Sequence, residues 1–79
     1  MSPTVFRYKN YAFFFFSREE KLIHVHARSS AGEAKFWMEP RVALCRNYGF
    51  SAKEVKELQR VIEGHHDEII AAWKKHFRS

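Results

Sequence analysis

Leu22-Ile23-His24-Val25-His26-Ala27-Arg28 and Glu33-Ala34-Lys35-Phe36-Trp37-Met38-Glu39 are two alternating runs separated by Ser29-Ser30-Ala31-Gly32. Alternate residues of a strand share a face. Ile23, Val25 and Ala27 therefore point one way, and Leu22, His24, His26 and Arg28 the other. The small, polar, glycine-containing connection reads as a turn between antiparallel strands. If it pairs Arg28 with Glu33, then His26 faces Lys35 and His24 faces Trp37. Ala34, Phe36 and Met38 then join Val25 on an apolar face. The opposite face collects two imidazoles, a lysine, an arginine and a tryptophan.

Upstream of this pair, Thr4 to Tyr8 and Tyr11 to Ser17 are rich in β-branched and aromatic residues, with only Lys9-Asn10 between them. That is the length of a two-residue hairpin turn, and Asn10 is the residue suited to a positive φ. Downstream, Pro40 ends the fourth strand because it has no N–H for a ladder. Val42 to Cys45 is long enough for a short fifth strand.

The period then changes. Ser51 with Glu54 three residues later is a capping-box pattern, and Val55, Leu58, Val61 and Ile62 follow at helical spacing. The stripe resumes at Ile69, Ile70, Trp73 and Phe77. Gly64 lies between and costs about 1 kcal/mol inside a helix, so helices are expected at about 52–63 and 66–77. Because the stripe keeps its register across Gly64, one continuous kinked helix is the alternative. Val25, Phe36, Val55, Leu58, Ile62, Ile69 and Trp73 form the expected core. The chain therefore reads as a single α+β domain over residues 1–79. An antiparallel sheet of four to five strands, within residues 4–45, packs against one or two C-terminal helices.

Composition bounds the function. The 79 residues are 46% hydrophobic and 29% charged, which suits a folded domain with one small core. A lone Cys45 permits no internal disulfide, pointing to a reducing compartment. Met1-Ser2-Pro3-Thr4 lacks a signal-peptide pattern, and the longest apolar run, Tyr11 to Phe16, is far below the roughly 20 residues that span a bilayer. A cytoplasmic location without membrane contact is expected. The net charge is +5, with eight Lys/Arg against four acids in residues 1–50 and six against five in residues 51–79. The basic excess thus belongs mainly to the strand half, as an anionic partner would require.

Several motifs together carry a family resemblance. They are Pro3 to Lys9 with the aromatic Phe13 to Ser17 segment, His24-Val25-His26, Gly32 to Trp37, and Arg46-Asn47-Tyr48-Gly49-Phe50-Ser51. In these the chain resembles the uncharacterised bacterial family called domain of unknown function 4160. Where that family usually has prolines before its His-x-His, this chain has Leu22-Ile23. The resemblance implies a small protein often encoded beside a second small protein, in an arrangement similar to toxin–antitoxin pairs. It implies no established activity.

The residues themselves support three kinds of chemistry. A face bearing His24, His26, Arg28, Lys35 and Trp37 has the cations and rings with which single-stranded nucleic acid is bound. The same imidazoles suit the acid and base of a small metal-independent ribonuclease, with Arg28 or Lys35 stabilising the developing charge. Two histidines on one strand face, about 7 Å apart at Cα, can also share a metal ion, but no third ligand can be placed beside them. No cofactor motif is present. Finally, Phe13 and Phe15 point opposite to Phe14 and Phe16, so two rings are expected on a face the helices leave open, beside Trp37. Such a patch marks a docking surface for a small protein partner or a second copy. The leading expectation is a non-enzymatic or weakly enzymatic interaction module of a toxin–antitoxin-like pair, with nucleic acid as a second candidate ligand. The rivals are the ribonuclease and a mobile-element inhibitor of a larger host complex.

Overall fold

The computed structural model describes residues 4–15 and 22–77. Five strands precede two helices: β1 Thr4–Tyr8, β2 Tyr11–Phe14, β3 His24–Ser29, β4 Gly32–Trp37, β5 Ala43–Tyr48, α1 Ala52–Gly64 and α2 His66–Phe77. The strands form one antiparallel meander in the order β1-β2-β3-β4-β5. The α+β architecture read from the sequence is the observed one.

The central ladder has the expected register, with His24 opposite Trp37, Val25 opposite Phe36, His26 opposite Lys35 and Arg28 opposite Glu33. Met38 N–H donates to the Ile23 carbonyl at 2.9 Å, extending the pairing beyond β3. In the β1–β2 turn the positive φ falls on Lys9, at 54°, rather than on Asn10. A left-handed conformation costs a non-glycine residue about 1–2 kcal/mol. The Lys9 side chain is held there by the Glu57 carboxylate of α1, 2.8 Å from Nζ.

The fifth strand is longer than Val42 to Cys45. Phe36 pairs with Leu44 but Lys35 pairs with Arg46, so Cys45 is an extra residue on the β5 side. This bulge reverses the alternation: without it Arg46 would share the face of Leu44. Near the end of β5, Asn47 closes the turn into α1. Its Nδ2 donates to the Phe50 carbonyl at 2.9 Å, and its Oδ1 accepts from Phe50 N–H at 3.1 Å.

The capping box is formed as read. Ser51 Oγ accepts from Glu54 N–H at 3.1 Å, and Glu54 Oε1 accepts from Ser51 N–H at 2.8 Å. The helix break lies at His65, one residue past Gly64. His65 N–H still reaches the Val61 carbonyl at 3.1 Å, and the His65 carbonyl accepts from Ile69 at 2.9 Å. So short an interruption explains why the apolar stripe keeps its register.

Leu58, Ile62, Ile69 and Trp73 close over Phe13, Phe15, Val25, Ala27, Ala34, Phe36 and Met38, with Val55 partly buried at the margin. The expected core is thus present, and Phe13 and Phe15 belong to it, at 0% and 1% exposure. This corrects their placement on an open face. Phe13 pairs with Ala27 and Phe14 with His26, so β3 carries Phe13 and its neighbour two residues on to the helix side.

Candidate functional site

With the helices on the Val25 side, the opposite face of the sheet carries the functional candidates in registered rows. One row runs Arg7, Ala12, Arg28, Glu33, Tyr48 from β1 to β5. The next runs Phe14, His26, Lys35, Arg46, and the third His24, Trp37, Ala43. Neighbouring strands lie about 4.8 Å apart, so each row is a line of side chains in mutual reach.

Five of the seven expected site residues, His24, His26, Arg28, Lys35 and Trp37, are together on this face; Phe13 and Phe15 are not. The imidazoles are not solvated, however. His24 and His26 are 3% and 7% exposed. The His24 ring packs edge-on to His26 at 5.3 Å and to Trp37 at 6.0 Å, and its Nδ1 lies 3.0 Å from the Leu22 carbonyl. His26 stacks on Phe14 at 5.4 Å. Around these rings stand the cations. Arg28 covers the Phe14 ring and Lys35 the Trp37 ring, each 4.7 Å from the centroid, distances at which a cation is attracted to the ring quadrupole. Glu33 is the one acid in the three rows, 3.4 Å from Arg28 Nε and 3.7 Å from His26 Nδ1.

Arg7, Arg46 and Tyr48 complete the face and were missed in the sequence. All three are exposed, Tyr48 at 64%. Arg46 and Tyr48 follow the Cys45 bulge, which simple alternation cannot anticipate. Phe14 was hidden in a run where every residue is aromatic, so alternation carried no signal there.

Among the described residues no group of three or more His, Cys, Asp or Glu is placed to hold a metal ion, and no helix is long and apolar enough to cross a membrane. His65 pairs with Glu68 at 2.7 Å and stacks on Phe6 at 4.0 Å, which makes it a brace at the helix break.

The family model for domain of unknown function (DUF4160) matches residues 10–74, spanning β2 through most of α2. The chain belongs to that family. No curated protein and no solved structure matches it. Membership in the DUF4160 family assigns no activity.

Proposed function

We propose that this DUF4160 domain is an interaction module that binds a small acidic protein partner through the sheet face opposite Val25, as one member of a toxin–antitoxin-like pair. The observation that carries the reading is the composition of these rows: exposed Arg7, Arg28, Arg46 and Tyr48 with half-buried Trp37 and Lys35, against one carboxylate, Glu33. Arginine and the aromatic residues are enriched at protein interfaces and dominate their binding energy, whereas lysine and the acids are depleted. Guanidinium groups also pair carboxylates in two-point geometry that lysine cannot match. An acidic surface is the complement.

The ribonuclease reading finds less support. An acid and base must reach the proton they transfer within about 3 Å or through one water, and both imidazoles are packed among rings. A mobile-element inhibitor would use the same face on a larger target, so the identity of the partner separates it from the pair.

The test is co-expression with the small protein that the toxin–antitoxin-like reading expects to be encoded next to the chain, followed by size-exclusion chromatography. A stable complex is expected, and the double charge reversal Arg28→Glu/Arg46→Glu should abolish it while leaving the circular dichroism spectrum unchanged. The reading fails if the two proteins elute separately at high concentration, or if the reversed variant still binds.

A further inference from the structure

A second basic surface lies away from the sheet face, in a cleft of about 700 Å³ between the β1–β2 turn and α1, lined by Tyr8, Lys9, Ala52, Lys53, Lys56, Glu57, Arg60 and Val61. Four of these side chains are cationic and one is acidic. Glu57 is already engaged: its Oε2 accepts from Lys9 Nζ at 2.8 Å and from the Tyr8 hydroxyl at 3.2 Å. Lys53, Lys56 and Arg60 take part in no ion pair among the described residues, and all three are exposed.

Their spacing is regular. At i, i+3 and i+7 they fall on one face of α1, with successive rises of about 4.5 and 6 Å along the axis. This is a row of charges, not a cage around a single ion. Lys9 stands across the cleft from it, in the left-handed backbone conformation that its contact with Glu57 holds.

We propose that this cleft is a nucleic-acid site in which Lys53, Lys56 and Arg60 contact successive phosphates of one strand without reading the bases, with Lys9 opposite them holding Glu57. A linear polyanion fits the row of charges. The residue types favour phosphate over an acidic protein, because lysine is depleted at protein interfaces whereas lysine and arginine supply the bulk of phosphate contacts. The one ring at the cleft, Tyr8, has Lys9 5.3 Å from its centroid and its hydroxyl on Glu57. Contact is therefore with the backbone rather than by base stacking. The inference goes beyond the sheet-face reading and shares no residue with it.

The experiment is fluorescence anisotropy of the full chain with labelled mixed-sequence single-stranded and duplex DNA, repeated across salt. About three neutralised phosphates release enough counterions to weaken binding about 20- to 40-fold between roughly 50 and 200 mM salt. The exposed double substitution Lys56→Ala/Arg60→Ala should lower the slope of log affinity against log salt by about 2 without altering the circular dichroism spectrum. Arg28→Glu/Arg46→Glu should leave DNA binding essentially intact even where it destroys the protein complex. The proposal is overturned by absence of binding to either DNA at about 50 mM salt, or by an unchanged slope in Lys56→Ala/Arg60→Ala. It is equally overturned if polyglutamate competes as well as unlabelled DNA, which would mark the cleft as a site for acidic polypeptide.

Discussion

His24 of β3 meets Trp73 of α2 edge to face, with ring centroids 4.9 Å apart and planes at 65°. Trp73 in turn packs edge-on to Phe15 at 5.3 Å and against Phe77 at 4.2 Å. One ring of the His-x-His strand is thereby tied to the helical layer, and its first role is to hold α2 to the sheet.

The His24→Ala substitution should accordingly destabilise the fold. Edge-to-face aromatic pairs contribute about 0.5–1.5 kcal/mol beyond their buried area, and truncating a buried ring leaves a cavity. A loss of about 2 kcal/mol or more is expected in urea denaturation. An unchanged midpoint would mean that the His24–Trp73 contact does not support the fold.

The core itself offers a sharper measurement. Phe13 is fully buried and stacks on Phe6 at 4.4 Å, so Phe13→Ala should cost about 3–5 kcal/mol, and Leu58→Ala in the same core about 2–5 kcal/mol. For a domain whose total stability is about 5–15 kcal/mol, either change should markedly lower the thermal midpoint. If Phe13→Ala unfolds no earlier than the native chain, the helix-side placement of Phe13 is wrong.

Gly32 and Gly49 are in direct apposition where the β3–β4 turn meets the end of β5. A methyl group on Gly32 would lie 2.1 Å from the Tyr48 carbonyl oxygen, and one on Gly49 2.4 Å from that of Ala31. Gly49 also has φ +98°, which L side chains rarely adopt. Elsewhere glycine to alanine stabilises a chain by restricting its unfolded state; here both substitutions should lower stability, by about 1–3 kcal/mol at Gly49. Gly64→Ala is the contrast, since nothing lies within 4 Å, and it should raise stability by up to about 1 kcal/mol. Thermal melts of the three variants give the comparison.

The pH dependence of stability should carry the signature of Glu57. Hydrogen bonding from the Lys9 ammonium holds the Glu57 carboxyl below its ordinary range. The folded chain thus binds that proton less readily than the unfolded chain. This contribution is fully present above the unfolded carboxylate pKa and is lost as pH falls through the lower, folded value. Lys9 is raised by the same contact, so its share is present below the unfolded lysine pKa and is lost at high pH as the folded value is passed. The stability difference between the native chain and Glu57→Gln should be constant near neutrality and close in acid. Because both groups are solvent-accessible, salt should shrink it. A gap that widens on acidification would contradict the assignment.

The sequence by itself determined the α+β order, the capping box at Ser51 and Glu54, and the pairing of His24 with Trp37 and His26 with Lys35. Each depends on neighbours close along the chain: alternation within a strand, a short turn, a cap three residues from its partner. It also determined Leu58, Ile62, Ile69 and Trp73 as the buried helix stripe, because a helical period of apolar residues has only one face to bury. Tertiary structure decided the rest. Which parity of the Phe13 to Phe15 run faces the helices depends on how β2 registers against β3, a long-range pairing that an all-aromatic run does not encode. The bulge at Cys45 turned Arg46 and Tyr48 onto the sheet face against simple alternation. Only packing brought Lys9 across to Glu57 of α1, 48 residues away, and so created a cleft between two segments whose charges look unremarkable along the chain. Local spacing fixes which residues share a face; what that face meets is settled by side-chain packing between distant elements.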